Sequence, residues 1–490
     1  MYRSRPRGRM DDEVLRFLSS IQHDQSILYY DIVGSEAHSI MLHEKGHVKL
    51  QELKKILAAL EEAKKNPGAI DTEGAEDIHE ALEAFVIGHA GMQAGGKMHT
   101  ARSRNDQVVL DIRMKVRDDI ITLCGALVQL IGGLLDRADK SKDAVMPLYT
   151  HTQQGQLGTF SHFMLAYADA LFRDLERVYN SFGRVNQSPL GACAVGGTSI
   201  DIDRRRTAVL LGFDGLVKNS VDATTSRDAF LEYVAAVAIL AGTLARIAED
   251  FIIWSTSEFG FIELADRYSS TSSAMPQKKN PDPMEIARAK AAVITGRLVA
   301  MLGIVKGLPS GYSRDLQELK PQLLEASQAA IDMVRVMDGA VRTLEVKKER
   351  MLAASKDSYA IALDIAEQLV SRGVPFRAAH KAVGALVGRA AEKSVPLSKL
   401  SEKEIGSVLK QSKLDFSPSE LAKIVRGMTP ARSIELRRSE GSPSPKEQEA
   451  MVKAARQRLA GFEEGVQKRA EFVKGSFDNL AKAVDRYLSS

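Results

Sequence analysis

The chain has 490 residues, which corresponds to roughly three domains at about 150 residues per domain. Lysine and arginine total 67 against 63 acidic residues, and the net charge of +4 gives no strong field to attract nucleic acid or an anionic membrane. Hydrophobic residues make up 44% of the chain, which excludes a disordered protein. Two cysteines, Cys124 and Cys193, exclude a disulfide framework and indicate a reducing compartment.

The N-terminal residues are basic but do not form a secretion signal. Asp11, Asp12 and Glu13 follow where a signal peptide would have an apolar stretch. Two other stretches, 120–135 and 233–245, come nearest to membrane spans. The first contains polar residues, and the second is shorter than the ~20 residues that a span needs. We therefore expect a cytoplasmic protein with a short basic arm and no membrane segment.

Helical periodicity dominates the chain, and runs typical of strands are scarce, so we predict an all-α fold. Three long helices are predicted near residues 108–138, 230–254 and 283–307. Their central parts are apolar on nearly all sides, so they must be buried all round. One chain supplies too few helices for such a bundle, which favours oligomerisation through the central helices.

Breaks in the pattern divide the chain into three predicted domains. They are an N-terminal helical domain over 1–102, a central helix bundle over 103–345 and a C-terminal helical domain over 346–490. A turn-rich linker at 441–445 precedes a last helical stretch.

Two segments match known functional motifs only in part. Residues 43–47 read HEKGH, a zinc-protease pattern, but Gly46 is typical of a helix end and would leave His47 off the helix. Residues 91–97 have the glycine and lysine spacing of a phosphate-binding loop. Met98 stands where that loop needs Ser or Thr, and the preceding segment is helical rather than a strand.

The strongest functional signal is the segment 268–283, YSSTSSAMPQKKNPDP. A loop dense in hydroxyl groups leads through two lysines and an asparagine into a helix that begins at proline. Amide and hydroxyl donors, lysine charge and a helix N-terminus together can hold an anion. A plain linker is the alternative, but linkers rarely have this composition directly before a buried helix.

Three further polar segments flank apolar helices. Residues 100–107, TARSRNDQ, offer two guanidinium groups near a helix start, where Ser103, Asn105 or Asp106 could also cap the helix. Residues 149–156, YTHTQQGQ, place His151 among hydrogen-bonding side chains, and histidine suits proton transfer near neutral pH. Residues 307–320, GLPSGYSRDLQELK, form a donor-rich loop after a buried helix.

These segments together resemble the argininosuccinate lyase branch of the fumarase/aspartase superfamily. The resemblance also covers residues 31–38 (DIVGSEAH), 76–79 (EDIH), 96–100 (GKMHT) and 373–380 (GVPFRAAH), and it weakens past about residue 400. It implies anti elimination of argininosuccinate to arginine and fumarate, the last step of arginine biosynthesis, with neither cofactor nor metal. Such chemistry needs a base, cations beside a carboxylate and an acid for the leaving nitrogen.

The resemblance also implies roles for individual residues. Ser272 resembles the catalytic base, which Lys278 and Asn280 would activate while holding the carboxylate. His151 resembles the proton-transfer histidine, and Glu285 resembles the charge partner that stabilises its imidazolium. Residues matching the fumarate-end binding positions are Ser103, Arg104 and Asn105, with Thr150 at a further binding position. Residues matching the positions that hold the other end of the substrate are Tyr312, Gln317 and Lys320, with Arg227 at an additional one.

The implied assembly is a homotetramer with a 20-helix core, in which each site draws segments from three chains. Thr271 stands where the family usually has glycine, and a β-branched residue resists the left-handed conformations that glycine allows, so the mobility of this loop is an open question. Two alternatives stay open: another fumarate-releasing lyase such as adenylosuccinate lyase, or a non-catalytic structural relative like the lens crystallins of this superfamily.

Overall fold

A computed structural model describes residues 11–356 and 358–490, so the basic arm lies outside the described residues. The prediction of an all-α fold is confirmed: long helices make up most of the described chain, and its strands are short. The helices are α1 (Asp12–Leu18), α2 (Ile21–Asp24), α3 (Leu28–Glu44), α4 (Leu50–Lys65), α5 (Ile78–Ala90), α6 (Met92–Gly95), α7 (Arg104–Lys140), α8 (Phe160–Val185), α9 (Arg204–Leu210), α10 (Ser220–Thr225), α11 (Asp228–Trp254), α12 (Asp282–Val305), α13 (Leu319–Thr343), α14 (Lys348–Lys356), α15 (Ala362–Val370), α16 (Phe376–Glu392), α17 (Glu402–Gln411), α18 (Pro418–Gly427), α19 (Pro430–Glu435) and α20 (Pro445–Ser489).

The strands form two-stranded pairs that connect the helices. They are β1 (Val145–Thr150) with β2 (Gln153–Thr159), β3 (Gln187–Ser188) with β4 (Gly215–Leu216), β5 (Ile262–Glu263) with β8 (Glu345–Val346), and β6 (Ser270–Thr271) with β7 (Lys279–Asn280). Short 3-10 helices lie at Pro67–Ala69, Asp266–Tyr268, Arg314–Gln317 and Leu397–Lys399. The β3–β4 pair is parallel and the others are antiparallel.

The central bundle is built on α7, and its two ends are named here after the first and last residues of that helix. At the Lys140 end, the Phe160 amide donates to the Ala144 carbonyl as α8 begins. At the Arg104 end, Arg113 donates to the carbonyls of Arg184 and Val185 as α8 finishes. Helix α8 therefore runs antiparallel to α7.

Helices α11 to α13 complete this bundle. The Arg113 guanidinium lies 5.6 Å from the Phe230 ring, so α11 begins at the Arg104 end. Helix α12 starts at the opposite end and returns, and α13 then runs back until Arg137 donates to the Val341 carbonyl. Helix α20 packs along α7 and α8, and the apolar side chains between these helices form the largest buried core.

Three further apolar cores lie beside the largest one in the described residues. One joins α3, α4 and α5 with the end of α20, the second joins α15 to α18, and a small third one joins the β1–β2 hairpin to α19. The domain boundaries after residues 102 and 345 stay a prediction.

The structure agrees with the rejection of both familiar motifs. Helix α3 ends at Glu44 and Gly46 has φ 81°, so His47 lies beyond the helix. The segment before Gly91 is helix α5. By length and composition, α7 and α11 could each cross a membrane, but half or more of the apolar window of each is buried inside the protein. Core helices of large bundles have this character.

Candidate active site

A cavity lies at the Arg104 end of the bundle, between α5, α7 and the loop before α13. It brings together five of the residues that the sequence nominates for substrate binding, together with residues that the sequence did not nominate. The nominated residues are Arg104, Arg227, Tyr312, Gln317 and Lys320; the others are Ser20, Asp77, His79, Val108, Ile112, Arg314 and Leu316. The cavity offers about 40 Å³ to water-sized molecules, so it is a narrow pocket with room for a small group such as a carboxylate.

Arginine side chains dominate one wall of this cavity. Arg104 donates to Asp77 at 2.6 Å and lies 3.4 Å from Glu76, while Arg314 donates to the same Glu76 carboxylate at 3.0 Å. Burial alone would raise the pKa of Asp77, but the charges of His79 and Arg104 outweigh it and hold this pKa below its usual value. The cation of Arg104 is therefore held in a fixed position at the start of α7.

Lys320 and Arg227 are the two most deeply buried cations among the nominated residues. Lys320 donates to Asp24, whose other oxygen accepts from the Ser20 hydroxyl at 2.8 Å. Arg227 donates to the carbonyls of Thr224 and Ser226, and burial lowers its pKa to about 10. At neutral pH its guanidinium is still positive, and it faces a cavity suited to an anion.

Ser103 caps the N-terminus of α7, and Asn105 lies in the first turn of this helix. The Ser103 hydroxyl accepts from the Asn105 amide at 3.3 Å, while the Ser103 amide donates to Asp106 at 2.9 Å. This capping box confirms one of the two roles that the sequence allows for this segment, helix capping and anion binding. The Asn105 side chain donates to the Ala194 carbonyl at 2.9 Å.

His151 and Thr150 lie at the Lys140 end, at the tip of the β1–β2 hairpin. The two-residue turn consists of His151 with φ 54° and Thr152 with φ 57°, a left-handed pair that hairpins usually build from Asn and Gly. Non-glycine residues in this region are strained, and such strain is concentrated at functional sites. The sequence did not predict this hairpin. The side chains of Thr150 and His151 are exposed, and they lie beside a second cavity lined by Tyr149, Gln153 and Phe259.

Ser272 begins an exposed loop between β6 and β7. Its hydroxyl accepts hydrogen bonds from the backbone amides of Ala274 at 3.2 Å and Met275 at 3.1 Å. These two donors also stabilise negative charge on the serine oxygen. Thr271 lies in the extended strand β6, a conformation that suits a β-branched residue, so glycine is not required at this position in the observed loop.

The remaining nominated residues follow this loop. Lys278 is exposed and Asn280 is half-buried in β7, whereas Lys279 is paired with Glu263 and Asp266. Glu285 is exposed in the first turn of α12, where a carboxylate is favoured by the helix dipole. These groups share the Lys140 end of the bundle with His151.

Within one chain, the predicted site residues therefore lie in two groups, one at each end of the bundle. Helix α12 has 24 residues, so about 36 Å separate the Ser272 loop at its start from the Tyr312 loop after its end. A substrate the size of a modified amino acid cannot span this distance. Within one chain, the two groups therefore do not form a single site.

The sequence missed several cavity residues, among them Ser20, Asp77, His79 and Arg314. Asp77 and His79 lie within the EDIH segment, which carries part of the family resemblance but no predicted role. Ser20 and Asp24 stand four residues apart, a spacing that places two side chains on one helical face. The buried cation Lys320 requires a carboxylate partner, but the sequence offers too many acidic residues to choose among them.

A metal site can be tested at one cluster of the described residues. Asp31, His79 and Asp111 are buried, and their ligand atoms lie within 4.8 Å of one another. The His79 Nδ1 atom is hydrogen-bonded to Asp31 at 2.9 Å. Burial alone would lower the pKa of His79, but attraction to Asp31 raises it to about 9, and the resulting imidazolium has no lone pair for a metal. The cluster fits a buried ion pair better than a cation site.

Two protein families match separate parts of the chain. Residues 8–296 match the family described as Lyase, and residues 359–435 match the family described as Argininosuccinate lyase C-terminal. An argininosuccinate lyase of Nitrosopumilus maritimus is 47% identical over 100% of both chains. An argininosuccinate lyase of Methanothrix thermoacetophila is 42% identical over 99% of this chain and 98% of the relative.

Solved structures agree on the fold. An EDDS lyase in complex with formate superposes with a TM-score of 0.89 at 29% identity, covering 98% of this chain and 97% of that chain. A class II fumarase from Schistosoma mansoni superposes with a TM-score of 0.72 at 15% identity, covering 87% of this chain and 94% of that chain.

The helix bundle and the lyase match define the class: this is a lyase of the fumarase/aspartase superfamily. Within it, full-length identity to several curated relatives and the matching C-terminal region give the particular family. The chain belongs to the argininosuccinate lyase family.

Proposed function

We propose that this lyase cleaves argininosuccinate to L-arginine and fumarate by anti β-elimination, as the last step of arginine biosynthesis in the cytoplasm. The observation that carries the proposal is the cavity at the Arg104 end, where cations and hydrogen-bond donors surround a space suited to an amino-acid carboxylate. Family membership and full-length identity to argininosuccinate lyases support this substrate over others.

Ser272 is the proposed base that removes the Cβ proton. A free serine is far too weak a base, so its surroundings must stabilise the alkoxide. The amides of Ala274 and Met275 already point at the hydroxyl oxygen. Lys278 adds positive charge, and Asn280 adds an amide donor for the carboxylate that carries the developing negative charge.

His151 is the proposed acid for the departing guanidino nitrogen, and Glu285 from another chain stabilises its imidazolium. The exposed hairpin tip can reach a neighbouring subunit, whereas a buried histidine could not. Thr150 lies beside it. Ser103, Arg104 and Asn105 would bind the fumarate end of the substrate, and Tyr312, Gln317, Lys320 and Arg227 would bind the arginine end.

A homotetramer is the proposed assembly. Helix α12 exposes large apolar side chains along its length in one chain: Ile286 is 56%, Val293 53%, Val299 62% and Leu302 49% accessible. With about 3.6 residues per turn, Ile286 and Val293 lie on one side of the helix and Val299 and Leu302 on roughly the opposite side, so more than one neighbour is needed to cover them. Soluble proteins rarely leave so much apolar surface open to water. Covering α12 with its copies in other chains buries these side chains and brings the two groups of site residues towards each other. The three domains proposed above, 1–102, 103–345 and 346–490, would meet at these sites.

Fumarate release tests the function. Purified protein is incubated separately with argininosuccinate, adenylosuccinate and EDDS while fumarate absorbance is followed. We expect fumarate from argininosuccinate, with the other two at least ~100-fold slower, because their leaving groups lack the arginine part that the cavity is built to hold. Faster release from another substrate would replace the proposal with that activity, and no release from any would support a non-catalytic relative.

Replacing Glu285 with glutamine is expected to move the basic limb of the pH–rate profile to lower pH. The acid acts only while protonated, and removal of its negative partner makes the proton easier to lose as the pH rises. Rates measured between pH 6 and 9 check this result. Glu318→Gln, a change of an acidic residue at the other end of the bundle, is the control and should leave the profile in place. An unchanged basic limb in Glu285→Gln would remove Glu285 from the mechanism.

Tyr312→Phe is expected to raise the KM for argininosuccinate by about 10-fold, the usual cost of one hydrogen bond to a charged group. Inhibition by fumarate should change less than about 2-fold, since Tyr312 contacts the other end of the substrate. This variant is a cleaner test than loss of Lys320, because removing that cation strands the buried Asp24 carboxylate. Equal weakening of both ligands would contradict the assignment of Tyr312.

A further inference from the structure

His79 is a buried histidine that the mechanism above does not use. It is the second residue of α5, its side chain is only 2% exposed, and it lines the cavity together with Tyr312, Gln317 and Lys320. Its position in the cavity wall makes one of its ring nitrogens available to a bound ligand.

One ring nitrogen is fixed by the protein. The Nδ1 atom lies 2.9 Å from an Asp31 oxygen and 3.5 Å from an Asp111 oxygen. The second Asp31 oxygen accepts from the Gln107 amide at 2.5 Å, which fixes the carboxylate in turn. Because carboxylates only accept, Nδ1 must be the donor. Nε2 is buried and has no hydrogen-bond partner among the described residues.

The charges around His79 favour the protonated ring. Carboxyl groups face it from three elements, with Asp31 on α3, Asp77 before α5 and Asp111 on α7. Burial and the neighbouring Asp31 raise the pKa of Asp111 well above its usual value, so Asp31 and Asp77 supply most of the negative charge. Arg102 and Lys320 are the positive groups near this cluster. Burial alone would lower the pKa of His79, but attraction to Asp31 and the hydrogen bond to it, with Asp77 and Asp111, raise it to about 9. At neutral pH the ring is an imidazolium, so Nε2 also carries a hydrogen.

A buried charged donor without an acceptor is costly, and a carboxylate is the acceptor that satisfies it best. We propose that the Nε2–H of His79 binds the α-carboxylate of the arginine part of the substrate and thereby selects substrates that carry it. This inference rests on the proposed function. The arginine part is favoured over the fumarate part because four of the five predicted binding residues in this cavity, Arg227, Tyr312, Gln317 and Lys320, are assigned to the arginine end, and Arg104 alone to the fumarate end.

The test compares two inhibitors that differ only at the group in question, L-arginine and L-argininamide. Their inhibition constants against argininosuccinate are measured for the wild type and His79→Gln at about pH 6.5, where the α-amino group of each ligand is protonated. We expect the wild type to prefer arginine by at least about 10-fold, and His79→Gln to reduce this preference to within about 2-fold. His89→Gln, an exposed position on the same helix, is the control and should keep the wild-type preference.

A merely structural role for His79 would weaken both inhibitors equally and leave their ratio unchanged, which would overturn the proposal. A loss confined to fumarate binding would overturn it as well. If His79→Gln does not fold, His79→Asn receives the same measurement. A wild-type preference for L-arginine over L-argininamide below about 2-fold would also contradict the proposal. Absence of fumarate from argininosuccinate in the wild type would instead defeat the proposed function, so the two failures are distinguishable.

Discussion

Ser272→Ala is expected to lower turnover of argininosuccinate by at least ~10²-fold while leaving the fold intact, the usual scale for loss of a general base. The hydroxyl is the only group removed, and it lies in a loop whose residues are mostly exposed to solvent. Its bonds to the amides of Ala274 and Met275 stabilise only a local turn. Rates of fumarate release and the thermal unfolding temperature of the variant check both parts of this expectation.

Ser273→Ala is the matched control. It removes an adjacent hydroxyl from the same loop, and we expect at most a few-fold loss because nothing assigns that group to proton transfer. If Ser272→Ala keeps near wild-type turnover, Ser272 is not the base. If both variants lose activity alike, the loop as a whole is being disturbed.

Much of the fold could be predicted from the sequence because its signals are local. Apolar residues at helical spacing predicted the three long helices to within a few residues of α7, α11 and α12. The glycine at position 46 and the linker before Pro445 likewise end and begin helices where expected. Local propensity and tertiary packing agree in these elements.

The β1–β2 hairpin could not be predicted from local sequence signals. Residues 153–156 are polar and contain glycine, and the turn lacks the Asn-Gly signal, so nothing in the pattern predicts strands. The cavity also depends on distant packing: Asp24 meets Lys320 across 296 residues of chain. Such a pairing follows from the bundle geometry, which the sequence alone does not supply.

The central claim is that each active site combines groups from different chains. His151→Asn and Ser272→Ala variants, each expected to be inactive alone, are unfolded and refolded together. In mixed tetramers a site can draw His151 from one chain and Ser272 from another. With random assortment, about one quarter of the sites would contain both intact residues. Pooling without unfolding should recover little, because a large apolar interface exchanges slowly.

The matched control refolds Ser272→Ala with Lys278→Met. Both residues lie on one loop, so a single chain supplies both to a site, and every loop in the mixture carries one defect.

Fumarate release by the co-refolded pairs is the measurement that decides. The shared-site account predicts that activity returns to roughly a quarter of wild type for the His151 and Ser272 pair, and stays near background for the Ser272 and Lys278 pair. A mixed tetramer, verified by size and by distinguishable tags, that contains both His151→Asn and Ser272→Ala chains but shows no activity would contradict it.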